Sequence, residues 1–220
     1  MKILSLDSST QVSSVAFVDF DHLGNPASGE PLVGFLAETS HTRSDSSALF
    51  AALQQAVESC GKPEALCVGL GPGSYNGLRA SIAATRGFAT ALGIPLHAIP
   101  SPLALAGPNS GFWALGDARG GHYWIARVSE GAFLEEPALL SPQETAIHLQ
   151  NHPDLPILSA TPLAGIEGIV IVTPSAVRLA ILAKRGDPSS LVPGTPEPLY
   201  LKPPHITAPK PRTLPLSSVS

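Results

Sequence analysis

The chain opens on an apolar run, Ile3-Leu4-Ser5-Leu6, that leads directly into the polar quartet Asp7-Ser8-Ser9-Thr10. In the next stretch Val12, Ser14, Ala16 and Val18 alternate with Ser13, Val15 and Phe17, the period-two pattern of a strand. Asp, Ser and Thr favour tight turns because their side chains bond nearby backbone N–H groups. The pattern therefore predicts a hairpin whose turn carries one carboxylate and several small hydroxyls. Residues 21–31, rich in Gly, Asn and Pro, read as a loop, and residues 32–37 as a third strand. Leu49, Ala52, Leu53, Ala56, Val57 and Cys60 follow helical spacing. Ser44 or Asp45 can cap that helix, and Gly61 and Pro63 stop it. A strand over 65–70 precedes Gly71-Pro72-Gly73-Ser74-Tyr75-Asn76-Gly77, a helix over 78–92 closed by Gly93 and Pro95, and a strand over 94–99. This strand, loop, helix, strand order predicts an α/β chain with parallel pairing.

A second half restarts the scheme. Residues 112–116 and 123–128 are strand-like around the turn Asp117-Ala118-Arg119-Gly120-Gly121. Ser141-Pro142-Gln143-Glu144 is a capping box with proline at the first helical position. A strand over 169–172 precedes a helix begun by Thr173-Pro174 and bearing Val177, Ala180, Ile181 and Lys184. Two α/β halves, each opening on an aspartate-turn hairpin, are similar to the actin/Hsp70/sugar-kinase (ASKHA) fold. In that fold such hairpins grip nucleotide phosphates across a cleft. The pattern divides the chain into an N-terminal subdomain over 1–107, a C-terminal subdomain over 108–202 and a tail over 203–220. That tail is rich in Pro and Ser without periodicity and reads as disordered.

Composition narrows the function classes. At 220 residues, 44% apolar and 14% charged, the chain can bury a core and is not a disordered protein. No secretory leader or membrane span is indicated. Cys60 and Cys67 form neither a disulfide framework nor a zinc motif, so the expected compartment is the reducing cytoplasm. Residues 1–200 hold 10 basic against 17 acidic side chains, while Lys202, Lys210 and Arg212 make the end basic. An acidic body binds nucleic acid poorly by itself, because phosphate affinity comes from Lys and Arg displacing counterions.

Gly71-Pro72-Gly73-Ser74-Tyr75-Asn76-Gly77-Leu78-Arg79 is the most specific stretch. With Leu4-Ser5-Leu6-Asp7-Ser8-Ser9-Thr10, Ala91-Leu92-Gly93-Ile94-Pro95, Asp117-Ala118-Arg119-Gly120-Gly121-His122-Tyr123 and Pro198-Leu199-Tyr200-Leu201-Lys202, in that order, it closely resembles the bacterial TsaB (YeaZ) family. Departures are a longer stretch at 21–30, Asn76 where the family usually has Thr, and His122 where it usually has Glu. The resemblance implies a cytoplasmic, non-catalytic scaffold for a TsaD-like enzyme in threonylcarbamoylation of the tRNA adenosine next to the anticodon. It further implies a TsaE-like ATPase partner, tRNA reached only through the complex, no membrane and a homodimer when alone. No cofactor of its own is expected; ATP and metal belong to the partner subunits.

The residues bear on whether the chain does chemistry itself. TsaD-like chains hold metal through a His-x-x-x-His pair after the Gly-Ile-Pro strand. Ser101 and Leu105 stand at those places, and leucine cannot ligate metal. His148 and His152 have helical spacing, but Pro153 disfavours helix at His152, and no carboxylate is in a ligating frame by sequence. They read as exposed histidines at a helix end, so no metal site is assigned. Asp7, Ser8, Gly71, Gly73, Ser74 and Asp117 are candidate phosphate or nucleotide contacts, since a Gly-rich loop before a helix favours anions. The competing reading is a ligand-free strand-to-helix turn, because no Walker lysine accompanies it. Ser8, Ser9 and Ser74 have no recognisable base for peptidase chemistry. The alternative function class is a stand-alone ATPase or small-molecule kinase of the actin-like fold.

For partner binding, Ala80, Ala84, Gly87 and Ala91 recur at intervals of four, three and four, a smooth stripe that lets another helix approach closely. Leu78, Ile82, Ala89 and Leu92 suit the chain's own core. The bland alternative packs the small stripe on the helix carrying Leu49 and Leu53 within the same chain. The resemblance favours a helix bundle shared with the TsaD-like subunit. It places Ala80, Ala84, Gly87, Ala91, Leu49 and Leu53 at that contact, with Ala84 outward-facing in the monomer.

Overall fold

The computed structural model describes residues 1–25, 27, 29–40, 47–186 and 195–201. The first sheet comprises β1 (Lys2–Asp7), β2 (Val12–Asn25), β3 (Glu30–Ser40), β4 (Ala65–Gly69) and β5 (Leu96–Ile99), in the order β3-β2-β1-β4-β5. Strand β1 pairs antiparallel with β2 and parallel with β4, so it is enclosed on both edges, and residues 3–7 are all buried. Helices α1 (Ser47–Cys60) and α2 (Tyr75–Leu92) supply the crossovers. A 3-10 helix over Ser101–Ala104 leads to β6 (Phe112–Asp117), β7 (Tyr123–Ser129), β8 (Ala132–Leu140), α3 (Pro142–Leu149), β9 (Ile157–Ser159), β10 (Ile169–Ile171) and α4 (Ala176–Arg185). The second sheet runs β8-β7-β6-β9-β10. Read from each half's own first strand, the two orders are identical: third, second, first, fourth, fifth. That duplicated topology is the α/β fold of the actin/Hsp70/sugar-kinase class.

Side-chain alternation explains the layers. Leu4, Leu6, Val15 and Phe17 join Leu49, Leu53, Ala56 and Ala84 in the core under α1 and α2. Ile3, Ala16, Val18 and Cys67 point the other way, into a core filled by α4 residues and by Phe112, Ala114 and Val128 of the second sheet. Helix α4 therefore lies on the first sheet. Ser5 Oγ donates to Ala176 O at 2.6 Å, Ala176 N–H donates to Ser14 Oγ at 3.3 Å, and Cys67 Sγ approaches Leu179 O at 3.6 Å. Burial in that core pushes the Cys67 thiol up.

Several expectations need correction. The boundary at 107/108 falls between the two sheets, and α4, which follows the second sheet in sequence, packs on the first. The buried stripe of α4 is Ala176, Leu179, Ala180, Leu182 and Ala183. Val177 and Ile181 are only half-buried and Lys184 is exposed, because alanines fit the close approach to the sheet. Residues 21–25 and 30–31, expected as loop, belong to strands β2 and β3. β2 and β3 continue past the end of β1, with Leu23 opposite Pro31 and Asn25 opposite Glu30, through irregular register. Proline is tolerated there because β3 is an edge strand. Helix α2 starts at Tyr75, ahead of the expected 78, and ends at Gly93 in the left-handed conformation with φ 65°. Ser141 and Glu144 form the expected reciprocal capping box. The proposed caps Ser44 and Asp45 and the tail over 203–220 lie outside the described residues.

Candidate functional site

A cleft of about 680 Å³ opens between the two aspartate hairpins. Ser8, Gly73, Ser74 and Asp117 line it, as do Thr10, Gln11, Arg119 and Thr161. Asp7 and Gly71, both candidate contacts, do not. Asp7 is fully buried behind the turn. Its Oδ1 accepts from the Ser9 N–H at 2.9 Å and the Ser9 hydroxyl at 2.6 Å, and its Oδ2 from the Ser101 hydroxyl at 2.6 Å. Burial pushes its carboxyl above the usual range, and these three donors act in the opposite direction. Ser101 Oγ in turn accepts from the Gly71 N–H at 2.9 Å. A Cβ on Gly69 would overlap Asp7 Oδ2, and one on Gly73 would overlap Ser9 O, so both glycines are required by close approach.

The same loop is stitched to the first hairpin. Ser74 N–H donates to Ser9 O at 3.2 Å, and the Ser8 hydroxyl donates to Gly77 O at 3.2 Å. Two N–H groups of the glycine loop, those of Gly71 and Ser74, are thus engaged within the protein, which favours the turn reading over the phosphate cradle. Ser8 and Ser9 bond a carbonyl and Asp7, not an imidazole.

Across the cleft, Asp117 is exposed and its Oδ1 accepts from the Arg119 N–H at 2.7 Å. Arg119 itself has φ 59°, followed by Gly120 and Gly121 in the same left-handed region. Among the described residues lining the cleft, the charged ones are Asp117 and Arg119, one of each sign. Such a lining does little to concentrate a polyanion.

At the positions compared with metal ligands, the Ser101 hydroxyl is committed to Asp7 and Gly71, and Leu105 is buried in the core. Among the described residues no three of His, Cys, Asp and Glu gather as a metal cage. His148 and His152 are not simply exposed. His148 Nε2 lies 2.8 Å from Glu135 Oε2, Arg127 Nη1 lies 2.6 Å from His152 Nε2, and Arg127 Nε lies 2.9 Å from Glu135 Oε1. Both rings sit against Trp113, at 5.1 and 6.0 Å between centroids. A carboxylate does approach the pair, from β8. The cation at its centre is the Arg127 guanidinium.

The partner stripe divides. Leu53 is fully buried, Leu49 is 4% exposed and Ala84 8% exposed, all in the core beneath α1 and α2. They fill the chain's own interior in this conformation. Ala84 is the innermost of its stripe, on the side turned toward the sheet. Ala80 is half-buried at the cleft, while Gly87 and Ala91 are exposed, and a Cβ on Gly87 would meet nothing within 4 Å.

The repeated sheets and the hairpin-bounded cleft place the chain in the actin/Hsp70/sugar-kinase structural class. A family model described as TsaD, tRNA N6-adenosine threonylcarbamoyltransferase, matches residues 33–117. Uncharacterized proteins of Mycobacterium tuberculosis and Mycobacterium bovis are each 31% identical over 161 residues, covering 71% of this chain and 72% of theirs. Among solved structures, a Pseudomonas aeruginosa protein described as similar to peptidase YeaZ superposes with a TM-score of 0.68 at 22% identity, over 91% of this chain and 99% of that one. YeaZ from the same organism gives 0.65 at 22% identity with the same coverage. The chain belongs to the TsaB (YeaZ) family.

Proposed function

We propose that this chain is a supporting subunit, without chemistry of its own, of a TsaD-like enzyme that threonylcarbamoylates the tRNA adenosine beside the anticodon. The observation that carries the reading is the Asp7–Ser101–Gly71 network. Where a catalytic relative would present metal-binding histidines, this chain has a serine tied into its own fold and a core leucine. The TsaD-type family match and the family membership support a role in this tRNA modification. A TsaE-like ATPase and tRNA join through the complex, the compartment is the cytoplasm, and the chain pairs with itself when alone. Among the described residues no helix is long and apolar enough to cross a membrane.

The exposed Gly87–Ala91 face is the proposed contact, replacing the wider patch that included Leu49, Leu53 and Ala84. Gly87→Trp should leave the isolated chain folded, because its Cβ points into open space, yet abolish co-elution with the TsaD-like subunit. Co-elution of this variant at the wild-type level would place the contact elsewhere. The isolated chain should modify no tRNA. Modification by the pure chain, or tight magnesium-dependent ATP binding in the cleft, would instead favour the stand-alone ATPase or kinase reading.

A further inference from the structure

The body of the chain is acidic, yet α2 carries Arg79 and Arg86 and no acidic residue. Positions 75, 79, 83, 86 and 90 form one stripe at helical spacing, and all five residues are exposed. The stripe lies about 100° around the helix from Gly87 and Ala91, so it is distinct from the small-residue face. At its N-terminal end Tyr75, 39% exposed, stacks on Tyr200, 44% exposed, with centroids 5.1 Å apart and planes 27° from parallel. Arg79 Nη1 donates to the Tyr75 hydroxyl at 2.5 Å, and its guanidinium lies 5.3 Å from the Tyr75 centroid.

This corner is held from behind. Leu199 N–H donates to Leu70 O at 2.8 Å, and the Leu199 side chain packs with Val68, Leu70, Ile82 and Ala98. Tyr200 is thereby fixed on the surface with ring area open to solvent. Beyond it the sequence carries Lys202, Lys210 and Arg212 and no carboxylate side chain. Glu197 is an acidic group close enough to act on Tyr200.

We propose that the Tyr75–Tyr200–Arg79 corner, continued by Arg86, is a contact surface for unpaired RNA. Unpaired bases stack on exposed aromatic rings and on guanidinium planes, while arginines and lysines neutralise the phosphates. An acidic protein surface would satisfy the arginines but offer the rings nothing planar to stack on; RNA uses both. The choice of RNA over other strands rests on the function proposed above, but the test needs only this chain.

The full chain is titrated into a short fluorescein-labelled oligoadenylate at low salt and followed by fluorescence anisotropy. Binding should be saturable and weaken as salt rises. Tyr200→Ala should weaken it about tenfold and Tyr200→Phe should preserve it, as stacking requires. Arg79→Gln should weaken binding to oligoadenylate and oligouridylate alike. These side chains are exposed, and a melting curve for each variant verifies the fold. Absence of saturable binding by the wild-type chain, or unchanged binding by Tyr200→Ala, overturns the proposal. So does a Tyr200→Ala variant that keeps RNA binding but loses the TsaD-like subunit, since the corner would then be a protein contact. RNA binding by a wild-type chain that fails to capture that subunit would sink the proposed function and leave this surface standing.

Discussion

Asp7 and Asp117 occupy equivalent places in the two halves: each ends the central strand of its sheet and opens a hairpin turn. Their surroundings differ completely. Asp7 is fully buried, receives three donors and is pushed up by desolvation. Asp117 is exposed at the cleft, where its carboxylate accepts from the Arg119 backbone N–H. The duplicated topology reproduced the turn but not its environment. The first turn is roofed by the loop after β4 and by the 3-10 helix; the second is open. A carboxylate at a repeated position can therefore be a structural pin in one half and a surface group in the other.

The sharpest way to break this contrast is to fill the space that lets the roof close. Gly69→Ala would drive a methyl into Asp7 and Ser101, and should cost about 3 kcal/mol or more, read as a lowered urea midpoint. A melting curve like that of wild type would mean the roof is loose and Asp7 is not pinned.

Next in size, Asp7→Ala leaves the Ser9 and Ser101 donors buried without their acceptor and should cost about 1–3 kcal/mol. The matching Asp117→Ala, at an exposed turn, should change stability by no more than about 0.5 kcal/mol. Equal effects from the two substitutions would erase the distinction drawn here.

The smallest effect concerns pH. Because the folded pKa of Asp7 is raised, the folded state binds its proton more tightly than the unfolded chain does. That contribution favours folding below the ordinary carboxylate pKa and is lost as pH rises through the elevated folded value. Asp7→Asn should remove this decline, so the variant's stability should gain on wild type with rising pH across that window. A pH profile for Asp7→Asn that parallels wild type would show that the ionised Asp7 is fully compensated by its donors.

Much of the local structure could be read from the residues alone. A short apolar run predicted β1, alternation predicted the start of β2, helical spacing predicted α1, and Ser141 with Glu144 predicted the cap of α3. Strand β8 (Ala132–Leu140) escaped because Glu135, Glu136 and Pro137 interrupt its pattern, and such residues are acceptable only because the strand lies at a sheet edge. Strand β9, three residues long, is too short to show a period.

What the linear pattern determined by itself was which side of each element is apolar, where turns and caps fall, and the family. Which surface covers each apolar side was decided only by the tertiary structure. Leu49, Leu53 and Ala84 have the spacing of either a partner face or a core, and burial within one cluster made them core. Helix α4 reads as part of the second half, yet its alanines let it approach the first sheet closely enough for Ser5 to bond Ala176. Asp7 reads as a turn residue; its burial, which raises its pKa, depends on distant segments closing over it, among them Ser101, 94 positions away, whose hydroxyl donates to it. Periodicity is a local property of the chain, whereas desolvation and hydrogen-bond partnership depend on which distant segments fold against it.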